Sequence, residues 1–178
     1  KPDISNKLIL SKLFKTNKFD VIIHFAAFID VEESVRKPKK YIENNYLKTK
    51  KFLKVCKLYN QLKIIFSSTA AVYGDSKLGI ISENAKLKPI SPYAISKLNS
   101  ENYIKNNNIN YVILRYFNVA GADTRMRSGL VSKKKSTHLI KKICESFFSK
   151  KKIQIYGNDY PSLDGTAIRD YIHVADLA

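Results

Sequence analysis

The sequence has 178 residues, of which 44% are hydrophobic and 26% charged, and its formal net charge is +17. This composition supports a folded core and excludes a low-complexity or collagen-like chain. No apolar run approaches the roughly 20 residues that cross a bilayer, and two distant cysteines, Cys56 and Cys144, form neither a disulfide framework nor a metal-ligand cluster. We therefore expect a cytoplasmic protein without membrane contact and without a bound metal.

Lysine supplies most of the positive charge. Bidentate recognition of bases and phosphates favours arginine, so this charge predicts a solvated lysine surface rather than a nucleic-acid site. A basic RNA- or DNA-binding module is the alternative, and a steep salt dependence of nucleic-acid affinity would support it. Of the 32 basic residues only five are arginine: Arg36, Arg115, Arg125, Arg127 and Arg169.

The first two thirds of the chain alternate between predicted strands and helices. Apolar runs at residues 21–23, 64–66 and 111–114 predict buried strands. Between the first two, Ile42, Tyr46, Thr49, Leu53 and Cys56 recur with the spacing of one helix face. A second helix is predicted to begin near Pro92 and to end at the asparagines 106–108. This alternation predicts a parallel sheet covered by helices on both faces.

The last third has a looser pattern. It predicts a helix over residues 138–148, a short strand over 153–156 and the opening turn of a helix over 174–178. Because such a turn would leave its backbone donors without a continuation, we expect the sequence to be part of a longer chain.

Four Tyr-x-x-x-Lys pairs occur in the sequence. On a helix this spacing places a phenol and an ammonium one turn apart, where the lysine can stabilise a phenolate that acts as a general base. The pair alone is weak evidence, because a lysine-rich chain with 11 tyrosines produces such pairs by chance. The four pairs are Tyr46/Lys50, Tyr59/Lys63, Tyr73/Lys77 and Tyr93/Lys97.

Local context favours Tyr93 among the four tyrosines. Tyr46 and Tyr59 lie on a predicted helix or at its end, where packing explains them, and Tyr73 precedes a Gly-Asp turn that spoils helical spacing. Tyr93 opens a helix that follows a strand ending in the hydroxyls of residues 67–69. Ligands of open α/β sheets bind at the carboxyl ends of strands, which is where these hydroxyls fall.

Several segments share the pattern of one protein family. They are DI at 3–4, HFAA at 24–27, ESV at 33–35, NN at 44–45, FSSTAAVYG at 66–74, SPYAISK at 91–97, RYFN at 115–118 and YGNDYPSLDGTAIRDYIHVADL at 156–177. This pattern resembles that of the extended short-chain dehydrogenase/reductase family, and within it the UDP-glucose 4-epimerase branch. The last segment is the longest and the most specific.

The resemblance implies an α/β fold with a Rossmann-like parallel sheet and helices on both faces. It also implies that this sequence contains only part of that fold. It also implies two partial domains. Residues 1–118 would belong to an NAD-binding domain, and residues 119–178 to a substrate-binding region whose chain returns to the first domain near 170–178.

The resemblance further implies tightly bound NAD and inversion at C4 of a UDP-hexose by reversible hydride transfer through a 4-keto sugar. Tyr93 would take the proton of the 4-hydroxyl, Lys97 would stabilise the phenolate, and Thr69 would share the hydrogen bond to the reacting oxygen. An ordinary phenol has a pKa of about 10, so a base active near pH 7 needs roughly 4 kcal/mol of preferential stabilisation. Lys97 and the nicotinamide cation are the available charges. Without the resemblance, the alternative for Thr69 is a strand-end hydroxyl that caps backbone.

For the cofactor, the resemblance assigns Asp3 to the adenine side, Phe25 and Asn44 to the adenosine and diphosphate region, and Tyr116 and Phe117 to the nicotinamide end, beside Thr69, Tyr93 and Lys97. Without it, these aromatic residues would be assigned to the core. Ile29 departs from the family, which often has a cofactor-contacting lysine at that position. That contact is therefore lost or supplied from elsewhere.

For the sugar nucleotide, the resemblance assigns Asn118, His138, Leu139, Ile153, Tyr156, Arg169 and Tyr171. Arg169 has an independent physical reason, because a guanidinium can fork onto a diphosphate. A structural ion pair with the neighbouring Asp170 is the alternative. The apolar members and Tyr156 would otherwise be core residues, and His138 a hydrogen-bonded polar residue.

The glycine-rich dinucleotide fingerprint occurs nowhere in the sequence, either as G-x-x-G-x-x-G or as G-x-G-x-x-G. The family places it before Asp3, so we expect the 178 residues alone to hold NAD poorly and to be inactive. We expect the full-length protein to form a homodimer, because members of this family commonly pair through two long helices.

Other reactions of the same family are the nearest alternatives. A nucleotide-sugar 4,6-dehydratase needs an added acid and base just after the active-site threonine, where this chain has Ala70 and Ala71. A UDP-glucuronate 4-epimerase or decarboxylase stays open, as does the choice between glucose and its N-acetyl form. From another class, a non-catalytic NAD-binding regulatory protein is opposed by the intact Tyr93, Lys97 and Thr69.

Overall fold

The computed structural model describes residues 3–75, 79–131 and 138–178. The chain forms two compact units, Lys1–Arg115 and Tyr116–Ala178, which we call unit 1 and unit 2. Within the described ranges, no helix combines the length and the apolar character that crossing a membrane requires.

Unit 1 is built around a three-stranded parallel sheet in the order β1-β2-β3, as the sequence predicts. The strands are β1 (Ile22–His24), β2 (Lys63–Ser67) and β3 (Asn110–Leu114). Its helices are α1 (Lys7–Thr16), α2 (Val31–Arg36), α3 (Pro38–Tyr41), α4 (Lys48–Leu58) and α5 (Pro92–Lys105). A π-helical turn (Ile42–Leu47) joins α3 to α4, and a 3-10 turn (Ala70–Tyr73) follows β2.

One face of the sheet carries the core of unit 1. Side chains from α1, α4 and α5 pack there against alternate residues of β2, and the buried cluster consists of Leu10, Phe52, Leu53, Val55, Cys56, Ile64, Phe66, Ile104 and Ile109. On the other face, Ile23, Ile65 and Val112 are in register across the three strands. Ile23 is 55% and Val112 51% exposed, so the expected burial of both faces is seen for only one face among the described residues.

The π-helical turn shifts the buried face of the first long helical segment. The regular spacing predicts burial of Ile42 and Tyr46, but Tyr41 and Asn45 are buried instead, at 0% and 2% exposed. A π turn holds more residues than an α turn and therefore rotates the residues before it relative to those after it. From Thr49 onwards the predicted face is correct.

Helix α5 begins and ends where the sequence predicts. The Ser91 side chain accepts a hydrogen bond from the Ala94 N–H, and Pro92 follows at the first position. The helix stops at Asn106, and Asn108 has a left-handed backbone (φ 50°). Its buried side chains include several small residues, which lets it lie close to its neighbours, and they are Tyr93, Ala94, Ser96, Lys97, Ser100, Glu101 and Ile104.

Unit 2 contains a parallel pair of short strands, β4 (Asn118–Ala120) and β5 (Tyr171–His173), with helix α6 (Leu139–Ser149) between them in sequence and α7 (Val174–Leu177) at the end. The predictions of α6 and α7 are confirmed. The predicted strand over 153–156 is wrong, because this segment has no strand partner among the described residues and Ile155 and Tyr156 are each 74% exposed. At three residues each, β4 and β5 are too short for periodicity to predict them.

Candidate active site

Tyr93 and Lys97 lie one turn apart near the start of α5, and both are buried. Tyr93 is 9% and Lys97 3% exposed. The Lys97 Nζ donates to the main-chain oxygen of Ser67 (2.7 Å) at the end of β2 and lies 5.1 Å from the centroid of the Phe66 ring. Burial lowers the pKa of Lys97 to about 8, so the ammonium is charged at neutral pH and loses its charge in mild alkali.

The other three Tyr-Lys pairs do not share this environment. The Lys50 Nζ lies 6.0 Å from the centroid of the Tyr46 ring and 5.5 Å from that of Tyr103, which is a packing contact between a cation and aromatic faces. Tyr59 is the C-terminal cap of α4 and Lys63 opens β2, so that pair is not on one helix.

The third pair fails because its tyrosine precedes a turn. Tyr73 ends the 3-10 turn, and Gly74 follows with φ at 77°, as the sequence predicts. Gly74 cannot be replaced easily, since a Cβ there would lie 2.0 Å from the main-chain oxygen of Lys88. Lys77 lies outside the described residues.

Thr69 lies two residues after the end of β2 and caps the 3-10 turn. Its Oγ1 accepts a hydrogen bond from the Ala71 N–H (3.2 Å), which is the capping role considered as the alternative for this residue. A hydroxyl that accepts one hydrogen bond can still donate its own proton to another oxygen. Capping and a role toward a reacting oxygen are therefore compatible.

Sequence reasoning missed a buried carboxylate at this place. Glu101 is 0% exposed and accepts from the Ser68 hydroxyl and from the Arg115 guanidinium, with Nη2–Oε2 at 2.6 Å and Nε–Oε1 at 3.0 Å. The hydrogen bond to Glu101 is the main cause that raises the pKa of Arg115 above its ordinary value. The helical spacing held a hint, because Glu101 lies four residues after Lys97 and eight after Tyr93 on one face.

Sequence reasoning also missed Asn45, which joins the loop after β1 to the first turn of α5. Its Oδ1 accepts from the Phe28 N–H (2.8 Å), and its Nδ2 donates to the Phe28 carbonyl (2.9 Å) and to Ser96 Oγ (3.2 Å). Ser96 Oγ in turn donates to the main-chain oxygen of Tyr93 (2.6 Å). The amide therefore fixes the backbone that carries Tyr93.

His24 is a buried, neutral side chain that feels the charge of Lys97. It shares a 2.9 Å hydrogen bond with Thr49 Oγ1 and stacks on Phe52 with 5.4 Å between ring centroids. Burial, and to a smaller extent the charge of Lys97, lower the pKa of His24 to about 4. Within the part of the chain that the structure describes, no group of His, Cys, Asp or Glu has the arrangement of a metal site.

The cofactor residues assigned within unit 1 occupy varied surroundings. Asp3 pairs with Lys48 (2.5 Å), whose hydrogen bond is the main cause that holds the pKa of this carboxyl well below its usual range. Phe25 follows β1 and is 59% exposed, so it is not a core aromatic. Asn44 is half-buried and donates to Asn45 Oδ1 (3.0 Å).

The remaining assigned residues belong to unit 2, and most of them are exposed. Asn118 opens β4 and donates to the main-chain oxygen of Asp170 (3.0 Å), whereas Tyr156 is 74% exposed and donates to Gln154 Oε1 (3.0 Å). Tyr116 is half-buried, and the exposed members are Phe117, His138, Leu139, Ile153, Arg169 and Tyr171. The alternative assignment of Leu139, Ile153 and Tyr156 to the core is therefore wrong.

A family model described as "NAD dependent epimerase/dehydratase family" matches residues 1–178. Among curated proteins, a UDP-glucose 4-epimerase from Azospirillum brasilense is 42% identical over 99% of this chain and 52% of its own length. A UDP-glucose 4-epimerase from Lactobacillus helveticus is 41% identical over 98% of this chain and 54% of its own length. The chain thus spans about half the length of the curated relatives it matches.

Solved structures agree with the sequence comparison. The structure of UDP-glucose 4-epimerase from Bifidobacterium longum in complex with NAD+ and UDP superposes with a TM-score of 0.92 at 38% identity, over 99% of this chain and 55% of that chain. The UDP-Glc/GlcNAc 4-epimerase from Campylobacter jejuni is 39% identical with a TM-score of 0.74, over 99% of this chain and 55% of that chain. The Rossmann-like fold predicted from the sequence is confirmed.

Proposed function

The chain belongs to the NAD dependent epimerase/dehydratase family, and from this premise we propose that the full-length protein interconverts UDP-galactose and UDP-glucose. Hydride would leave C4 of the sugar and return to its other face through a 4-keto sugar. The observation that carries the proposal is the buried Tyr93/Lys97 pair on α5, with the Lys97 ammonium bound to Ser67 at the end of β2, two residues before Thr69.

The residues at the carboxyl ends of β1 and β2 suit a dinucleotide. Phe25 offers an exposed aromatic face, and Lys97 offers N–H donors, which ribose hydroxyls can accept. Dinucleotides bind at this edge of open α/β sheets. We therefore propose NAD as the cofactor, held by Asp3, Phe25, Asn44, Tyr116 and Phe117 together with the catalytic residues. When bound, NAD supplies the acceptor and then the donor of hydride.

Three side chains have proposed roles in proton transfer. Tyr93 takes the proton of the 4-hydroxyl as hydride departs and returns it afterwards. Lys97 stabilises the phenolate of Tyr93 electrostatically, which is effective because both side chains are buried. Thr69 donates to the reacting oxygen while its own lone pair holds the Ala71 N–H.

The UDP part of the substrate is proposed to bind residues of unit 2. Arg169 pairs with the diphosphate through its planar guanidinium. The other proposed contacts are Asn118, His138, Leu139, Ile153, Tyr156 and Tyr171. Their exposure in unit 2 supports this proposal, since exposed apolar and aromatic side chains can cover a ligand.

Epimerisation is favoured over dehydration by the residues after Thr69. Ala70 and Ala71 form the start of the 3-10 turn. Their methyl groups can neither protonate a leaving hydroxyl nor remove a proton from carbon.

The test is to incubate the full-length protein with UDP-galactose and NAD and to measure UDP-glucose by chromatography. We expect UDP-glucose to form with wild type, Tyr93→Phe to abolish its formation, and Tyr46→Phe to leave it unchanged. Tyr46 belongs to the Lys50 packing contact, so it is a matched control. Equal loss in both variants would contradict the choice of Tyr93.

We further propose that the full-length protein acts in the cytoplasm as a homodimer that pairs through the outer faces of α4 and α5. Tyr103 and Lys50 lie on these helices, and mixed aromatic and polar faces are common at protein interfaces. Light scattering of the full-length protein should give twice the chain mass.

We also propose that residues 1–178 alone do not convert UDP-galactose. Calorimetric titration should find no micromolar NAD binding by residues 1–178.

A further inference from the structure

Two side chains of α5 hold consecutive residues at the carboxyl end of β2. The Lys97 Nζ donates to the main-chain oxygen of Ser67 (2.7 Å), and the Ser68 hydroxyl donates a hydrogen bond to the carboxylate of Glu101. Lys97 and Glu101 are four residues apart and therefore lie on one face of the helix. We call this pair of contacts the α5–β2 clamp.

The peptide group inside the α5–β2 clamp is held from both sides. Its carbonyl, from Ser67, accepts from Lys97, and its N–H, from Ser68, donates to the main-chain oxygen of Leu114 at the end of β3 (2.9 Å). Ser68 is only 2% exposed. A peptide bonded at both its donor and its acceptor cannot rotate without breaking a buried hydrogen bond.

Glu101 is itself fixed by charge. Arg115 binds it through two nitrogens, and Lys105 lies 3.6 Å from Oε2. Arg115 also donates to the hydroxyl of Tyr73 (2.9 Å), at the end of the 3-10 turn that Thr69 caps. The buried carboxylate thus connects α5 with the ends of two strands and with the segment after Thr69.

We infer that Glu101 is a positioning residue for the reaction proposed above: through Ser68 it sets the position of α5 along β2 and so places the Lys97 ammonium. The inference rests on the proposed function. Tyr93 lies one turn before Lys97, and Thr69 directly follows Ser68. The same clamp therefore sets the positions of the proposed base, its lysine and the hydroxyl that shares the reacting oxygen.

A matched control exists elsewhere in unit 1. Glu33 also accepts from one cation and one hydroxyl, Lys40 Nζ (2.8 Å) and Tyr41 Oη (3.0 Å), and its side chain is 25% exposed. This carboxylate joins α2 to α3 and has no contact with the end of β2 in these hydrogen bonds. Glu33→Gln removes a comparable charge without opening the α5–β2 clamp.

The first measurement is the pH dependence of kcat for the full-length enzyme with UDP-galactose. For Ser68→Ala and Glu101→Gln we expect kcat at pH 7 to fall about tenfold or more, with KM within about twofold of wild type. The acid limb of the profile should move to higher pH, because a displaced Lys97 stabilises the phenolate of Tyr93 less. His24 also feels the charge of Lys97, and it is unchanged in these variants.

A merely structural role would lower the melting temperature of Glu101→Gln, and more than that of Glu33→Gln because Glu101 is fully buried, but would leave the acid limb of each in place. Ser68→Ala guards against a folding defect, since it removes one hydroxyl and keeps the Glu101–Arg115 pair. An unshifted acid limb in both clamp variants would overturn the inference while leaving an active wild type and the proposed function intact.

The second measurement does not need activity. Hydrogen–deuterium exchange of residues 66–72 should be faster in Ser68→Ala and Glu101→Gln than in wild type or Glu33→Gln, because the clamped peptide is released. Unchanged exchange would overturn the inference even if wild type fails to convert UDP-galactose. If wild type does not convert UDP-galactose but the exchange rates change as expected, the proposed function is refuted and the α5–β2 clamp is not.

Discussion

Lys97 combines deep burial with a positive charge, which is costly for the folded state. Its main-chain acceptor on Ser67 and the Phe66 ring below it compensate part of the loss of water. The cost is visible in the pKa of Lys97, which burial lowers to about 8. A buried cation with a strongly shifted pKa is typical of functional sites.

We predict that Lys97→Met lowers kcat of the full-length enzyme by about 10²-fold or more, since the phenolate of Tyr93 loses its stabilising charge. Lys50→Met, from the Tyr46 pair, should keep wild-type activity. Because Lys97 loses its proton above its pKa of about 8, wild-type kcat should fall as the pH rises through 8. Rates measured from pH 6 to 10 check both points, and a flat profile to pH 10 would contradict the second.

His24 makes stability depend on pH in the acid range. Its pKa is lowered from 6.5 to about 4 in the folded chain, so the unfolded chain binds more protons between these values. The stabilisation is fully present above pH 6.5 and is lost as the pH falls toward 4, by about 3 kcal/mol in total. We predict that His24→Phe, which keeps a ring beside Phe52, loses less thermal stability than wild type between pH 6.5 and 4. If the melting temperatures of the two proteins fell equally between pH 6.5 and 4, His24 would not be the cause of this pH dependence.

At the scale of elements, the π-helical turn gives Asn45 its place. The extra residue in the turn directs the Asn45 amide inward, where it reaches both backbone groups of Phe28 and the Ser96 hydroxyl. This amide thereby connects the loop after β1, the π-helical turn and α5. π turns often occur at functional sites for this kind of geometric reason.

We predict that Asn45→Asp destabilises the full-length protein by about 2 kcal/mol, because a carboxylate oxygen would replace the NH2 group that faces the Phe28 carbonyl. Asn110→Asp, an exposed amide at the start of β3, is the control and should change stability by less than about 0.5 kcal/mol. Chemical denaturation measures both. A stability equal to wild type for Asn45→Asp would show that the buried amide is dispensable.

The sequence predicts those elements whose determining residues lie within the element itself. Strand β2 follows from a run of apolar residues, and α5 follows from Ser91, Pro92 and a terminal asparagine cluster. The partners of Glu101 and Asn45 lie far away in sequence, so spacing can place Glu101 on the helix face of Lys97 but cannot predict the contacts that either side chain makes. The misplaced strand over 153–156 has the same cause, since strand formation depends on a partner that the segment itself does not contain.

At the scale of the whole molecule, the net charge of +17 is largely a lysine surface. Three of the five arginines already have carboxylate partners: Arg36 pairs with Glu32, Arg115 with Glu101 and Arg127 with Asp123. These guanidinium groups are engaged within the chain rather than gathered for a phosphate backbone. The arrangement favours the proposed function over that of a nucleic-acid-binding module.

We predict that the full-length protein binds a labelled 20-nucleotide RNA only in weak, nonspecific fashion, with affinity no better than about 10 µM at physiological salt. Fluorescence anisotropy at low and physiological salt measures this. Submicromolar affinity that differs between RNA sequences would contradict the prediction and would restore the nucleic-acid alternative.

The main-chain carbonyl that anchors Lys97 has an evolutionary consequence. Any amino acid at position 67 brings the same acceptor, so random substitution there cannot delete it, whereas the neighbouring Ser68 contact depends on one hydroxyl. The Lys97 contact should therefore survive a substitution at residue 67, whereas the Glu101 contact is lost when residue 68 has no hydroxyl. A saturation library at codon 68, selected for growth that needs the proposed activity, would be expected to return a narrow set of residues.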